Sequence, residues 1–273
     1  MGPLSSTIAL LTDFGDRDEY AGVLRGAILR RAPQAVIVDL CHQVAPHDIR
    51  QAAAMIAAAY RYFPEQTLHV MVVDPGVGGK RDIVFARTQT FGFLCPDNGL
   101  LSELIVQGHL ISVRRVTNRA LFAEAVSTTF HGRDIIAPVA GYLASGGPPE
   151  NLGPRQAIHN LVCLDMSPAG PPKGGIIKGV VRSVDGFGNL VTNIDRALLT
   201  SILEDDLEIN LVVDTGGRWT LPLASSYDAR PVGALLATIG SRDTLEIAVN
   251  QGHAGRQIGV APGTIIRISG KNG

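Results

Sequence analysis

The sequence predicts an α/β protein of two domains: an N-terminal doubly wound, mostly parallel sheet domain over residues 1–165, and a small C-terminal β-barrel domain over 176–273. Three observations predict it. Through the first half, short apolar runs alternate with helical segments, the pattern of a parallel sheet covered on both faces. The stretch 166–175 (MSPAGPPKGG) carries three prolines and three glycines and has linker composition. Beyond it, strands recur at short spacing with turn residues between them and little helical pattern.

The elements follow in order. Residues 7–12 (TIALLT) are a buried strand running into Asp13-Phe14-Gly15. Tyr20, Val23, Leu24, Ala27 and Ile28 have helical spacing, which predicts a helix over 19–32 stopped by Pro33. Residues 35–40 (AVIVDL) form a second strand. Asp48 then caps an alanine-rich helix over 49–63, because a carboxylate satisfies the free N–H groups of a helix start and alanine has the highest helix propensity. A third strand, 69–73, ends at Asp74-Pro75-Gly76. Strands at 82–88, 92–95 and 110–116 and helices at 99–106 and 132–144 complete the first domain. In the second, strands are expected at 176–184, 189–193, 207–213, 218–222, 233–239, 243–248 and 263–268, with helices at 195–203 and 250–257. Ligands of doubly wound sheets sit beyond the carboxyl ends of the strands, where Asp13 and Asp74 both fall.

Bulk properties narrow the function. The 273 residues are 45% hydrophobic, enough for a large core. Lys plus Arg is 24 and Asp plus Glu 25, a formal charge of -1. No basic field exists to attract nucleic acid or an anionic membrane, so a small-molecule ligand is expected. No apolar run approaches the roughly 20 residues of a spanning helix, and the run Ile8 to Leu11 lacks the basic flank of a signal peptide. The N-terminus is read as a disordered start in which Met1-Gly2 with Ser6 matches a myristoylation pattern only formally. Cys41, Cys95 and Cys163 lack metal-ligand spacing and are read as buried free thiols of a cytoplasmic protein. The histidines at 42, 47, 69, 109, 159 and 253 form no ligand set, so neither metal nor cofactor is expected. No G-x-S-x-G nucleophile elbow occurs.

Several polar positions carry candidate chemistry, each beside a plainer alternative. Asp13 either binds a vicinal ribose diol, as acidic residues do in dinucleotide folds, or serves the turn. Asp18, with Asp16 and Glu19, either touches ligand or marks a helix start. Asp74 through Arg81 (DPGVGGKR) is a glycine-rich loop that lets backbone approach a ligand, or a tight loop with a surface salt bridge between Asp74 and Arg81. It is not a P-loop. His131, in Phe130-His131-Gly132-Arg133-Asp134, sits at a helix start, where positive potential favours the neutral ring that can accept a proton from water; the alternative is a cap. Asp185-Gly186-Phe187-Gly188-Asn189 is a hairpin whose Phe187 could stack on a purine and Asn189 bond its edge, or a simple turn. Arg242, after Ser241, could pair bidentately with a carboxylate or be solvated.

Taken together, these segments resemble the S-adenosylmethionine hydroxide adenosyltransferase (hydrolase) family, relatives of the fluorinase and chlorinase. Six motifs occur in family order: Thr12-Asp13-Phe14-Gly15; Val73-Asp74-Pro75-Gly76-Val77-Gly78 with Arg81; Pro96-Asp97-Asn98-Gly99; Phe130 to Asp134; Phe187-Gly188-Asn189 with Thr192-Asn193-Ile194; and Glu246-Ile247-Ala248-Val249-Asn250. The resemblance spans about residues 7–268. It implies a homotrimer whose active sites lie between the N-terminal domain of one subunit and the C-terminal domain of its neighbour. It implies Asp74, Arg81 and His131 as catalytic triad and Asp13 as the ribose-binding aspartate. Asp185, Ser241 and Arg242 would hold the methionine amino and carboxylate groups, and Phe187 and Asn189 the adenine. The implied reaction is hydrolysis of S-adenosylmethionine to adenosine and methionine. Two positions depart from relatives. His47 stands where an aromatic residue commonly packs on substrate. Pro75, Val77 and Gly78 stand where fluorinases carry tyrosine and threonine, which favours water over halide. The remaining alternatives are a halogenase and a non-catalytic binder of S-adenosylmethionine or adenosine.

Overall fold

In the computed structural model, which describes residues 4–203 and 207–271, the chain divides into two compact units between Met166 and Ser167. Met1-Gly2 falls outside the described residues, but Leu4 is buried in the first core and the Ser5 N–H donates to Gln66 O at 2.9 Å, so the expected disordered start does not extend to Ser6.

The first unit comprises β1 (Thr7–Thr12), α1 (Tyr20–Leu29), β2 (Val36–Cys41), α2 (Ile49–Ala59), β3 (Leu68–Val72), β4 (Ile83–Arg87), β5 (Gly92–Pro96), α3 (Ser102–Val106), β6 (Ser112–Arg115), α4 (Ala137–Ala144) and β7 (Arg155–Gln156). The sheet runs β2-β1-β3-β5-β4-β6-β7. It is parallel across β2-β1-β3-β5 and antiparallel from β5 through β4 and β6 to β7. The link from β4 to β5, Thr88 to Phe91, is too short for a crossover, so the chain must turn back. The Phe91 N–H donates to Thr88 Oγ1 at 3.0 Å and closes that turn.

Both faces of the sheet are covered, which is why β1 is apolar without alternation. Ile8 and Leu10 pack on one face with Leu24, Ile28, Val139 and Leu143 from α1 and α4. Leu11 and Met71 pack on the other with Ala52, Ile56 and Leu104 from α2 and α3. The Asp48 carboxylate accepts the Gln51 N–H at 2.9 Å and caps α2. That helix ends at Ala59 in a 3₁₀ turn, Tyr60–Tyr62, rather than continuing to Phe63.

The helix expected over 132–144 opens instead as a π-helix, Gly132–Ile136, before α4. Pro138 has no N–H for the Asp134 carbonyl four residues back. That carbonyl accepts from Ala123 N–H at 2.8 Å, and the Ala137 N–H reaches back to Gly132 O. Wide turns of this kind concentrate at functional sites.

The second unit comprises β8 (Ile176–Val184), β9 (Leu190–Asp195), α5 (Arg196–Leu203), β10 (Glu208–Val213), β11 (Arg218–Pro222), β12 (Leu235–Ile239), β13 (Thr244–Val249), α6 (Ala254–Ile258) and β14 (Ile265–Gly270). Its sheet runs β11-β10-β14-β8-β9-β13-β12, antiparallel throughout. The two ends approach one another through a bridge between Leu223 and Ala237, with Ala224 N–H on Ala237 O at 2.8 Å. The sheet is therefore a nearly closed barrel around Ile177, Val181, Leu211, Ile247 and Ile268.

Of the three free thiols, Cys95 is buried and Cys41 half-buried, but Cys163 is exposed. The expectation of three buried cysteines fails there because Cys163 lies in a segment without regular secondary structure, outside the helices and strands. Among the described residues, no helix is long and apolar enough to cross a membrane, and no group of three acidic, histidine or cysteine residues is placed to hold a metal ion.

Candidate active site

Two clusters of polar side chains stand out, one in each unit. In the first unit, β1 and β3 are parallel neighbours with Thr12 opposite Val72. Asp13 and Asp74 therefore leave the sheet at the same edge. Asn98 Nδ2 donates to Val73 O at 2.9 Å and fixes the chain just before Asp74. Asp13, Asp74 and His131 line a cavity of about 120 Å³.

Arg81 Nε donates to both Asp74 oxygens, at 3.1 and 2.9 Å, and Nη2 donates to Oδ2. The side chains are 5% exposed for Asp74 and 11% for Arg81. This is a shielded ion pair, not the surface salt bridge left open as an alternative. The loop between them depends on Gly78, at φ +79°, because a Cβ there would lie 2.2 Å from the Thr128 carbonyl oxygen. Only glycine lets the loop rest on the segment that leads into His131.

His131 heads the π-helix without a side-chain capping bond, which removes the capping alternative. Its Nδ1 is buried with no hydrogen-bond partner among the described residues. Burial and then the Arg81 charge push its pKa below the usual histidine value, against smaller opposing effects of Asp74 and Asp134. The neutral ring is thus favoured as expected, with burial rather than the helix start as the leading cause. Asp134 itself is occupied: it accepts from Arg133 at 2.7 and 2.9 Å and from the Ser127 N–H at 2.9 Å.

Asp13 Oδ2 accepts the His47 backbone N–H at 3.0 Å. His47 adopts the left-handed conformation, φ 69°, and its exposed ring borders the cavity. Asp18 lies exposed on the bend before α1 and does not line the cavity.

In the second unit, a cavity of about 780 Å³ is lined by Asp185, Phe187, Asn189, Ser241, Arg242 and Glu246. Asp185 Oδ1 accepts the N–H groups of Phe187 and Asn189, both at 2.9 Å, and Oδ2 accepts Asn189 Nδ2 at 3.0 Å. Asp185 is therefore both the turn residue of the plainer reading and part of the cavity wall. Phe187 is 83% exposed. Ser241 and Arg242 sit exposed on the turn between β12 and β13.

Two residues of this cluster were given no role from sequence: Glu246, which only opened one of the six family motifs, and Tyr227. Glu246, 5% exposed, accepts a hydrogen bond from the Tyr227 hydroxyl at 2.9 Å. Burial raises the Glu246 pKa, and burial followed by the Glu246 hydrogen bond pushes Tyr227 up to about 12. A Cβ on Gly240 would lie 1.9 Å from Glu246 Oε1, so the carboxyl group underlies the turn that presents Ser241 and Arg242. A lone acid in the apolar run LEIAV was the available signal for Glu246; Tyr227 had none.

Comparison with known proteins meets this geometry directly. Residues 8–153 match the SAM hydroxide adenosyltransferase N-terminal domain, and residues 179–267 match the C-terminal domain of the same family. The chain belongs to the SAM hydroxide adenosyltransferase family. A relative from Thermus thermophilus named (R)-S-adenosyl-L-methionine hydrolase is 34% identical over 96% of this chain and 98% of its own. One of the same name from Salinispora arenicola is 36% identical over 96% and 97%. Among solved structures, an uncharacterized conserved protein from Thermotoga maritima superposes with a TM-score of 0.89 at 35% identity, covering 96% of this chain and 99% of that one. Each polar cluster lies within one of the two family domains: Asp13, Asp74, Arg81 and His131 in the first, Asp185 to Asn189 with Ser241, Arg242 and Glu246 in the second.

Proposed function

We propose that the protein hydrolyses S-adenosyl-L-methionine to adenosine and L-methionine, with water attacking ribose C5′ in line with the departing sulfur. The observation that carries this reading is the shielded Asp74–Arg81 pair beside a histidine whose pKa is lowered, at the carboxyl ends of β1 and β3. The substrate is a sulfonium, so methionine leaves as a neutral thioether and needs neither a general acid nor a cofactor. What remains is to place one water and raise its nucleophilicity. Positioning is the larger contribution, on the order of 7–11 kcal/mol for well-oriented reactants.

Asp13 holds the ribose diol, and Ser241 with Arg242 holds the methionine carboxylate, so C5′ is fixed between two anchors. Asp185 takes the methionine ammonium; Phe187 and Asn189 take the adenine. His131 and Asp74 orient and polarise the water, and neutral His131 is the group able to accept its proton. Arg81 is too basic for proton transfer; it holds Asp74 and keeps His131 neutral. We further propose a homotrimer in which the N-terminal domain of one subunit meets the C-terminal domain of the next, completing each site. Three unpaired cysteines suit a reducing cytoplasm.

The test is chromatography of the purified protein incubated with S-adenosylmethionine in halide-free buffer, beside Asp74→Ala. Adenosine and methionine are expected from the wild type alone. Intact substrate retained on the wild-type protein would replace hydrolysis with binding as the function.

A further inference from the structure

β1 and β2 run parallel and deliver their ends to one edge of the sheet. Their register slips there: Leu10 faces Asp39, but Leu11 faces Cys41, so Leu40 is an extra residue on β2. Such bulges re-aim the side chains beside them. Here they turn Asp39 and His42 toward the loop that carries Asp13.

The contacts form a chain with a defined direction. Arg25, on α1, donates Nε to Asp39 Oδ1 at 2.9 Å and Nη2 to Oδ2. This hydrogen-bonded pairing holds the Asp39 carboxyl below its usual pKa, with His42 contributing in the same direction. An ionised carboxylate only accepts, so His42 Nε2, 2.9 Å from Asp39 Oδ1, carries the hydrogen. Arg25 Nη2 also lies 3.1 Å from that nitrogen; with hydrogen on both, the two donors converge on Asp39 rather than bond each other. In the neutral ring, Nδ1 is then bare and accepts the Thr12 hydroxyl at 2.8 Å. The Thr12 oxygen in turn accepts the Phe14 N–H at 3.2 Å.

The backbone adds two ties between the same segments. The Gly15 N–H donates to His42 O at 2.7 Å, and the Val44 N–H to Thr12 O at 3.3 Å. Thr12 is 0% and His42 5% exposed. A hydroxyl, imidazole and carboxylate in line suggest a nucleophilic triad, but a hydroxyl sealed from solvent cannot meet substrate. Its partner across the chain is the Phe14 amide, one residue past Asp13.

We infer that Thr12, His42, Asp39 and Arg25 form a polar relay that positions Asp13, with His42 as the positioning residue on which the ribose anchor depends. The inference rests on Asp13 binding the ribose, as proposed above. The relay fixes the backbone on both sides of Asp13. The His47 N–H occupies Asp13 Oδ2, and Oδ1 has no protein donor among the described residues, which leaves it for the diol.

The test joins adenosine calorimetry to amide hydrogen exchange on the whole chain. Thr12→Val keeps the shape and removes the hydroxyl; Thr12→Ser keeps the hydroxyl. His42→Asn keeps an acceptor near the Nδ1 position, while His42→Leu removes it. Thr12→Val and His42→Leu are expected to weaken adenosine about ten- to hundredfold, the effect of a buried polar group left unpaired. Phe14 amide exchange should rise in both, methionine affinity should hold, and Thr12→Ser should restore wild-type behaviour. The loss should appear in KM more than in kcat. A folded Thr12→Val variant with wild-type adenosine affinity and unchanged Phe14 exchange would overturn the relay. A wild type that binds no adenosine would remove the ribose role of Asp13 instead, and Phe14 exchange would then decide the relay by itself.

Discussion

The polar clusters of the two units differ in how firmly their side chains are held. In the first, Asp74 and Arg81 are 5% and 11% exposed and bond each other, beside a cavity of about 120 Å³. In the second, the cavity is about 780 Å³, Phe187 stands 83% exposed over it, and Arg242 lies on an exposed turn. Fixed charges around a small space suit the orientation of a reacting water. A wide space edged by an aromatic ring and a guanidinium suits recognition of a larger, flexible ligand. The division predicts that changes at Asp74, Arg81 and His131 act on kcat, whereas changes in the second cluster, like changes at the ribose anchor Asp13, act on KM.

The largest expected effect is that of His131→Ala. Loss of the proton acceptor should lower kcat by roughly 10²–10⁴-fold, with adenosine affinity within a few-fold of wild type. Single-turnover rates check it, and an unchanged rate would take His131 out of the reaction and break the division. The pH profile sharpens the same point. Protonation of His131 should abolish activity as pH falls. Because burial and Arg81 lower its pKa from the ordinary 6.5, the acid limb of kcat/KM should lie below that value.

Next is the way each unit treats a buried polar group. Glu246 in the second is satisfied by Tyr227. His69 in the first is fully buried, stacked on Phe93 with ring centroids 5.2 Å apart, and neither ring nitrogen has a hydrogen-bond partner among the described residues. Burial pushes its pKa to about 4. The folded state thus favours the neutral ring more than the unfolded chain does. That stability is present above the unfolded value of about 6.5 and is lost as pH falls toward about 4. Urea unfolding at about pH 7 and pH 5 should show His69 costing the wild type about 2 kcal/mol over that interval. His69→Phe should remove that part of the loss. An equal pH dependence in both proteins would mean that His69 is not buried in its neutral form.

How much of this could be read beforehand follows from the range of each interaction. The Asp48 cap and the strands ending at Asp13 and Asp74 rest on neighbours in sequence, and they were legible. The antiparallel β4–β5 pair was implied by its short link, but the general alternation of strands and helices masked it. The π-helix required knowing that Ala123 would take the Asp134 carbonyl, a contact across 11 residues that no local pattern encodes. Tyr227 reaches Glu246 across a separation of 19, and Thr12 reaches His42 across 30. Histidine and threonine are ordinary residues for a strand end, so only the bulge that turns them together marks them. Asp18 illustrates the reverse: its acidic neighbourhood fitted a ligand contact as well as a helix start, and the structure sets it outside the cavity.

The second cluster carries the smaller effects. Arg242→Ala removes a charge-assisted pair with the methionine carboxylate and should raise KM roughly ten- to hundredfold with kcat little changed. Phe187→Ala, losing a stacking contact of about 0.5–1.5 kcal/mol, should weaken adenosine several-fold. Steady-state kinetics and calorimetry check both. A fall in kcat with KM intact in either variant would show that the second cluster shares in the chemistry.

Attack by water at ribose C5′ is tested most directly by a single turnover of S-adenosylmethionine in ¹⁸O-labelled, halide-free water, read by mass spectrometry. Adenosine carrying one heavy oxygen at its 5′-hydroxyl, beside unlabelled methionine, is the expected result. Adenosine without the label, or its absence altogether, would contradict it.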